Sequence, residues 1–395
     1  MSDNNHITER LANEFSDICP IADSDFQARM KTLVAEEGFE NALRYVMPNV
    51  DYPDYSRMLC SIRSKDEFQQ RVMAPFLTML LQKTSDGITA SGFENLEPGV
   101  PYVYMSNHRD IVLDSALLNY VLLTNGHPTS EIAIGSNLLI FPWIDTLVRL
   151  NKSVVVKRNL PLRQAFEAAV QLSRYIHFAI NDIGDSVWIA QREGRAKDSS
   201  DNTQESLVKM LTIDGTGSIL DRLAQVNINP VAISYEFDPN DYLKCREFLL
   251  RRRDPDFKKS QHDDLLSMET GLLQPKGRIH YHFAGCINDR LAAVAERNDK
   301  TVAYAKACEI IDRGIHANYR LFPGNLIAYD KFCDTTEYTS EYSQADVEAF
   351  TAYCEAQLDK VDVDGITAEE REFMHQMMLK MYANPVINKR NASAD

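Results

Sequence analysis

The chain lacks the features of a disulfide-rich, zinc-knuckle or nucleic-acid-binding protein. Its seven cysteines are scattered, their number is odd, and none forms a CxxC pair. This usage suits a reducing cytoplasm and argues against both a disulfide framework and a zinc knuckle. Basic residues are also few, since 42 Lys and Arg stand against 57 Asp and Glu, a net charge of −15. No nucleic-acid partner is expected, because nonspecific binding needs a surplus of cations.

Long hydrophobic runs are absent as well. A membrane-spanning helix needs about 20 consecutive apolar residues. The most apolar stretches, 111–123 and 138–150, are shorter and contain the ionisable residues Asp114 and Asp145. The first ten residues are polar and do not form a signal peptide. We therefore expect a cytoplasmic protein whose contact with a membrane, where it occurs, is peripheral and on the inner face.

Short apolar strands alternate with amphipathic helices through the middle of the chain. The predicted strands are 100–105, 131–134, 153–156, 187–190, 231–235 and 278–283. This alternation predicts an α/β fold with a central, mostly parallel sheet and helical crossovers, flanked by helical N- and C-terminal regions. The predicted organisation is a helical N-terminal domain at 1–90, an α/β domain at 91–290 and a helical region at 291–395.

The most informative segment follows the first of these strands. His108 lies between a strand and a helix, with Asp110 and Asp114 two and six residues later. A neutral imidazole at that position can take a proton from a substrate hydroxyl, and a carboxylate can orient it. Asp110 has an alternative structural role, because Asp is a favoured residue at a helix N-terminus. The sequence leaves open which of the two carboxylates is the partner of His108.

Cations lie on both sides of a later strand. Arg149 and Lys152 precede the strand 153–156, and Lys157 and Arg158 follow it. Guanidinium groups match the geometry of phosphate, and Lys adds a point charge. The structural alternative is a solvated basic strand end.

A third segment is a loop crowded with charge after the strand 187–190. It contains Arg192, Glu193, Gly194 and Arg195. Gly194 permits a tight turn, and Glu193 can hold one of the cations in place. Such a loop suits a phosphate or a developing oxyanion, although a polar surface turn has the same composition.

In this order, the segments resemble the four motif blocks of the glycerolipid acyltransferase superfamily, which includes glycerol-3-phosphate and lysophosphatidate acyltransferases. The corresponding stretches here are NHRDIVLD at 107–114, VVVKR at 154–158, QREGRAKD at 191–198 and NPVAISYE at 229–236. The resemblance covers about residues 95–290.

The resemblance implies transfer of a fatty acyl group from acyl-CoA or acyl carrier protein to a hydroxyl of a glycerol-phosphate or lysophospholipid acceptor. His108 would be the general base and Asp114 would orient it. Cations among Arg149, Lys152, Lys157, Arg158, Arg192 and Arg195 would bind the acceptor, with Glu193 and Gly194 shaping the pocket. No metal and no cofactor beyond the acyl donor is implied.

Two departures from the family pattern affect this reading. Five residues separate His108 from Asp114 where the family has four, and Arg195 follows Gly194 directly where the family usually has one residue between. The first departure leaves three possibilities: an extra loop residue, Asp110 in the role of the family's Asp, or an inactive site.

Two other functions fit the same residues. A metal-dependent phosphoesterase could use His108, Asp110 and Asp114, but would need further ligands. A noncatalytic acyl-binding protein would explain the altered spacing as a degenerate site.

Overall fold

The computed structural model describes residues 2–295 and 299–393. Positions 1, 296–298 and 394–395, which belong to the predicted N- and C-terminal regions, lie outside the described residues. Within the described part, seven short strands form one sheet. They are β1 (Ile88–Ser91), β2 (Val103–Ser106), β3 (Glu131–Gly135), β4 (Ser153–Val156), β5 (Val187–Ala190), β6 (Ile228–Tyr235) and β7 (Ile279–Phe283).

The sheet is mostly parallel, as predicted. Its spatial order is β1-β7-β6-β2-β5-β3-β4, and β6 with β7 is an antiparallel pair whereas the other neighbouring pairs are parallel. Strands β2 and β6 are buried along their whole length. Burial on both faces explains their near-continuous apolar sequences, because helices cover both sides of a parallel sheet. The predicted α/β fold class is confirmed.

Helices precede, connect and follow the strands. The N-terminal set is α1 (Ser2–Glu14), α2 (Asp23–Val34), α3 (Glu37–Val46), α4 (Tyr52–Ser61), α5 (Lys65–Phe68) and α6 (Ala74–Thr84). Those among the strands are α7 (Leu113–Thr124), α8 (Pro142–Leu150), α9 (Leu162–Phe178), α10 (Glu205–Leu211), α11 (Ile219–Ala224), α12 (Asp241–Arg253) and α13 (Gln261–Leu273). The C-terminal set is α14 (Asn288–Ala292), α15 (Lys300–His316), α16 (Pro323–Phe332), α17 (Gln344–Leu358) and α18 (Ala368–Ser393).

Some elements differ from the predicted ones. Strand β2 starts at Val103 rather than at residue 100, because Pro101 has no N–H to donate to a neighbouring strand. Strand β6 begins at Ile228 rather than at residue 231, so it is longer than predicted and includes Pro230. Strand β1, with only four residues, was not predicted, nor was α16.

The N-terminal helices pack beside the sheet and bury their apolar faces there. Phe26, Met30 and Leu59 share one core cluster with Leu150 of α8. Trp143, at the start of α8, is partly buried against the same cluster. This packing sets an apolar wall next to the carboxyl ends of β3 and β4.

Candidate active site

The carboxyl ends of five parallel strands, β2 to β6, lie along one edge of the sheet. His108 follows β2, Arg158 follows β4, and the loop 191–195 follows β5. Ligands of open α/β sheets bind beyond the carboxyl ends of the strands. The structure brings these predicted residues together, since His108, Arg158, Arg192 and Arg195 line one cavity of about 1430 Å³.

The cavity has an apolar part and a charged part. Helices α3 and α8 contribute Leu43, Trp143 and Leu147 to its apolar lining. The loop after β5 contributes Arg192, Arg195 and Lys197 to its charged lining. These two kinds of lining suit a ligand that has a long hydrocarbon chain and an anionic head group.

His108 is held by Asp114. The two atoms His108 Nδ1 and Asp114 Oδ2 are 2.8 Å apart, and the Asp114 side chain is fully buried whereas 13% of the His108 side chain is exposed. The indole of Trp188 packs edge-on against the imidazole, with 5.9 Å between ring centroids. A carboxylate acceptor places the ring proton on Nδ1. Nε2 is then the basic nitrogen available to a molecule in the cavity.

Asp114 itself is fixed by three further donors. The backbone N–H groups of Arg109 and Asp110 donate to Oδ2 at 2.6 and 3.0 Å, and the Tyr235 hydroxyl donates to Oδ1 at 3.1 Å. The loop after His108 therefore folds around the carboxylate, which accommodates the longer spacing between His108 and Asp114. Tyr235 is a residue that the sequence analysis did not select, although it is the second-last residue of the fourth motif block.

Asp110 is the other carboxylate that the sequence analysis considered as the partner of His108. Its Oδ1 accepts hydrogen bonds from the N–H groups of Val112 and Leu113 at 2.9 and 2.7 Å, at the start of α7. Its Oδ2 accepts a bond from Asn240 at 2.7 Å. Burial, and then the neighbouring Asp114, raise the pKa of Asp110. Asp110 is thus the capping residue, and Asp114 is the partner of His108.

Arg109 anchors the same loop on the side away from the cavity. Its guanidinium makes a two-bond pair with the buried Asp201, at 2.9 and 2.6 Å. Asp201 Oδ2 also accepts a bond from the Tyr319 hydroxyl at 2.6 Å. This pair ties the His108 loop to the C-terminal helices and was not predicted from the sequence.

Three arginines surround the charged part of the cavity. Arg158 Nη1 lies 2.7 Å from Glu193 Oε1, a pair that holds the guanidinium in place. Arg192 Nε and Arg195 Nη1 are buried without a hydrogen-bond partner among the described residues. Gly194 has a φ of 69°, in the left-handed region that favours glycine, and it turns the loop between these arginines. Unpaired buried donors of this kind suit an anionic ligand.

Three other predicted cations take different roles. Arg149 donates to the backbone carbonyls of Cys19 and Ser16 at 2.9 and 2.6 Å. Lys152 is bonded to Thr129 and Asp66. Neither lines the cavity, because both precede β4 and so lie toward its amino end. Their role in substrate binding stays a prediction, which the lining of the cavity does not support. Lys157 reaches the cavity wall, but its ammonium pairs with Asp17 and Gln171.

Helix α12 and the segment that follows it supply charged residues that the sequence analysis did not place in the site. Arg251 and Lys259 line the cavity together with Glu247 and Lys197. Lys197 Nζ is 2.8 Å from Glu247 Oε2. Burial, followed by the nearby Arg195, lowers the pKa of Lys197 to about 7.

Residues 2–295 and 299–393 contain neither a membrane-spanning helix nor a metal site. No helix there combines the length and apolar character needed to cross a bilayer. No group of three or more His, Cys, Asp or Glu side chains there has the arrangement of a metal site.

Comparison with known proteins identifies the class. Residues 87–234 match the model of the Acyltransferase family. The matched segment begins one residue before β1, ends one residue before the end of β6 and includes His108, Asp114 and the arginine loop. A search of curated proteins gave no significant match. Residues 87–234 are thus similar to the Acyltransferase family, and this match supports the resemblance to glycerolipid acyltransferases in this segment.

One solved structure with some similarity is the 1-acyl-sn-glycerophosphate (LPA) acyltransferase PlsC from Thermotoga maritima. The identity is 12%, the alignment covers 74% of this chain and 96% of that chain, and the TM-score is 0.37.

Proposed function

We propose that the protein transfers a fatty acyl group from a thioester donor, acyl-CoA or acyl carrier protein, to a hydroxyl of a glycerol-phosphate or lysophospholipid acceptor. The observation that carries this proposal is the His108–Asp114 pair on the wall of a cavity that joins an apolar lining to arginines. A hydroxyl acceptor needs the base, a phosphate needs the arginines, and an acyl chain needs the apolar wall.

His108 acts as the general base in this proposal. Its Nε2 takes the proton of the acceptor hydroxyl as the oxygen attacks the thioester carbonyl carbon. The tetrahedral intermediate collapses, the carbon–sulfur bond breaks, and the leaving thiolate receives that proton from the imidazolium. The products are an ester and a free thiol. Asp114 keeps the imidazole oriented and stabilises its charged form, and it does not itself take the proton.

Arg158 and Arg192 bind the phosphate of the acceptor. Glu193 holds Arg158 at 2.7 Å, and Arg192 Nε has no partner among the described residues. A guanidinium donates two parallel bonds to a phosphate, so these residues also fix the orientation of the acceptor. Arg195, whose Nη1 is equally unpaired, lies between this group and the charges of α12.

We further propose that the protein meets a membrane from the side, through the start of α9. Leu162 and Phe166 are 89% and 63% exposed and lie one turn apart, and Ala165 and Ala169 on the same helix line the cavity. An exposed apolar patch beside a cavity for a lipid fits the surface of a bilayer. A lipid acceptor would then enter without crossing water.

The geometry does not favour the metal-dependent phosphoesterase. All four carboxylate oxygens of Asp110 and Asp114 accept hydrogen bonds from protein donors. A metal would have to displace several of these bonds.

The test is acyl transfer by the purified protein. Labelled acyl-CoA and acyl carrier protein are each offered with glycerol 3-phosphate or lysophosphatidate, and the ester product is measured by mass spectrometry. Lipids from cells with and without the protein, and with the variant His108→Ala, are compared in parallel. Binding of the thioester without ester formation from any of these acceptors would refute the proposal in favour of a noncatalytic acyl-binding protein.

A further inference from the structure

A second group of charges lies in the same cavity, and three of its members, Glu247, Arg251 and Lys259, lie outside the segment 87–234 that matches the Acyltransferase family. Arg251 is on α12 and Lys259 follows this helix, and Lys197 lies after the arginine loop. All three surround Glu247, whose carboxylate oxygens are 2.8 Å from Lys197, 3.0 Å from Arg251 and 3.9 Å from Lys259. One carboxylate is thus shared among three cations.

This group carries more positive than negative charge. Arg195, Lys197, Arg251 and Lys259 line this part of the cavity, against the carboxylates of Glu247 and Asp264. Asp264 pairs with Lys259 at 2.9 Å. Arg195 is 93% buried, from a relative exposure of 7%, and its Nη1 has no partner among the described residues. Buried cations that lack a full set of anions are stabilised by an anionic ligand.

The group is adjacent to the catalytic base but distinct from the acceptor-binding arginines. The N–H of Ala196 donates to the carbonyl of His108 at 3.3 Å. Arg195 and Lys197 are the chain neighbours of Ala196, so both lie next to the His108 loop. Arg158, by contrast, is paired with Glu193. The cavity therefore has two groups of cations, each paired with its own carboxylate.

The outer part of the group faces solvent. The side chain of Arg251 is 58% exposed, that of Lys259 is 22% exposed, and that of Glu247 is 6% exposed. A ligand bound here would have one end beside His108 and the other end outside the protein. An acyl thioester has this shape, because its phosphate lies on a long pantetheine arm and its nucleotide or carrier protein stays in water.

We propose, on the basis of the proposed function, that Lys197, Arg251 and Lys259 around Glu247 form the subsite for the phosphate of the acyl donor. Coenzyme A and a carrier protein both present a phosphate on the pantetheine arm, and coenzyme A adds further phosphate on its nucleotide. The subsite positions the thioester while Arg158 and Arg192 position the acceptor.

The test removes two of the cations and varies the phosphate of the donor. The variant Arg251→Gln/Lys259→Gln is compared with Arg252→Gln/Lys258→Gln, which makes the same charge change at neighbouring positions that do not line the cavity. Donors are acyl-CoA, acyl-3′-dephospho-CoA, acyl-4′-phosphopantetheine and acyl-pantetheine. We expect the KM for acyl-CoA to rise about tenfold in the cavity variant and to stay unchanged in the control. The KM for acyl-pantetheine should be the same in all proteins.

The donors also distinguish the source of the phosphate. An effect that persists with acyl-4′-phosphopantetheine assigns the subsite to the phosphate shared by coenzyme A and carrier protein. An effect that disappears with acyl-3′-dephospho-CoA assigns it to the nucleotide of coenzyme A. An equal rise in KM for acyl-pantetheine, or a rise in the KM for the acceptor instead, would overturn the proposal.

Calorimetric binding of unacylated coenzyme A separates this proposal from the function itself. If the wild-type protein binds coenzyme A and the cavity variant binds it about tenfold more weakly, the subsite stands even where no acyl transfer is found. If both bind it equally, the subsite is wrong even where acyl transfer occurs.

Discussion

The Tyr235 hydroxyl donates a hydrogen bond to Asp114 Oδ1 at 3.1 Å, while His108 is bonded to the other oxygen of the same carboxylate. Tyr235 ends β6 and His108 follows β2, and these strands are neighbours in the sheet. The sheet therefore sets the orientation of the carboxylate, and the carboxylate sets the orientation of the imidazole. Two elements far apart in the chain determine the position of one nitrogen.

Replacing His108 tests the base directly. We expect His108→Ala to lower kcat by about 10²- to 10⁴-fold, which is the usual contribution of a positioned general base. His262→Ala, at an exposed position on α13, serves as the control and should retain full activity. The rates are measured with saturating donor and acceptor, and thermal unfolding checks that the variant is folded. Wild-type activity in His108→Ala would remove the proposed mechanism.

Tyr235→Phe tests whether the orientation of Asp114 matters. This change removes a single donor from a carboxylate that keeps three others, so we expect kcat to fall about three- to tenfold with little change in either KM. Loss of a hydrogen bond of this kind also lowers the free energy of unfolding by about 1 kcal/mol. Stopped activity assays and chemical denaturation measure the two effects separately. An unchanged kcat combined with lower stability would restrict Tyr235 to a structural role.

The sequence predicted the fold and the centre of the site because both depend on local patterns. Short apolar strands alternating with helices indicate a parallel sheet, and residues that directly follow such strands must lie at its carboxyl edge. His108, Arg158 and Arg195 were located in this way. The sequence could not decide between Asp110 and Asp114, because the decision depends on the path of the loop after His108. In the structure this loop turns the N–H groups of Arg109 and Asp110 toward the Asp114 carboxylate and brings it to His108.

Other parts of the site could not be read from the sequence. Arg149 and Lys152 are close in the chain to Lys157 and Arg158, but a strand lies between the two pairs and carries them to opposite ends. Glu247 and Arg251 are far from the motifs, and only the packing of α12 against the loop after β5 brings them to the cavity. Strand β1 has the sequence ITAS and lies partly exposed at the edge of the sheet, so it lacks the continuous apolar run that marks β4 and β5.

Arg158 is expected to act in acceptor binding. A hydrogen bond to a charged group contributes about 1.5–3 kcal/mol, so Arg158→Gln should raise the KM for a phosphorylated acceptor about 10- to 150-fold. The KM for the acyl donor should not change. Arg57→Gln is a suitable control, because the Arg57 side chain is 74% exposed, does not line the cavity and pairs only with Asp54 on its own helix among the contacts described. An unaltered acceptor KM would place the phosphate elsewhere in the cavity.

The ionisation of Lys197 predicts a pH dependence of donor binding. Burial and the nearby Arg195 lower the pKa of Lys197 to about 7, so the ammonium is charged below that pH and largely neutral above it. Glu247 opposes this shift, and Lys259 adds to it. Binding of 3′-dephospho-CoA, whose diphosphate stays ionised, should therefore weaken as the pH rises from 6 to 8.

Calorimetric titration across this range measures the effect. Lys197→Met keeps most of the aliphatic stem and removes the titrating group. Its affinity for 3′-dephospho-CoA should therefore be independent of pH and equal to the weaker affinity of the wild type at high pH. Pantetheine, which has no phosphate, should bind independently of pH in both proteins. A profile that is unchanged in Lys197→Met would show that another group controls donor binding.

The exposed start of α9 predicts binding to lipid surfaces. Leu162 and Phe166 are among the most exposed large apolar side chains of the described residues, and they lie beside the cavity wall. Burying apolar surface yields about 25 cal/mol per Å², so two such side chains suffice to change a weak membrane affinity about tenfold or more. Leu162→Ser/Phe166→Ser should therefore sediment less with vesicles of phosphatidylglycerol and phosphatidylethanolamine. The kcat of this variant on a detergent-dispersed acceptor should stay unchanged.

Phe332→Ser, which alters an exposed aromatic residue on α16, is the control and should sediment as the wild type does. Equal sedimentation of all three proteins would mean that α9 does not contact the bilayer.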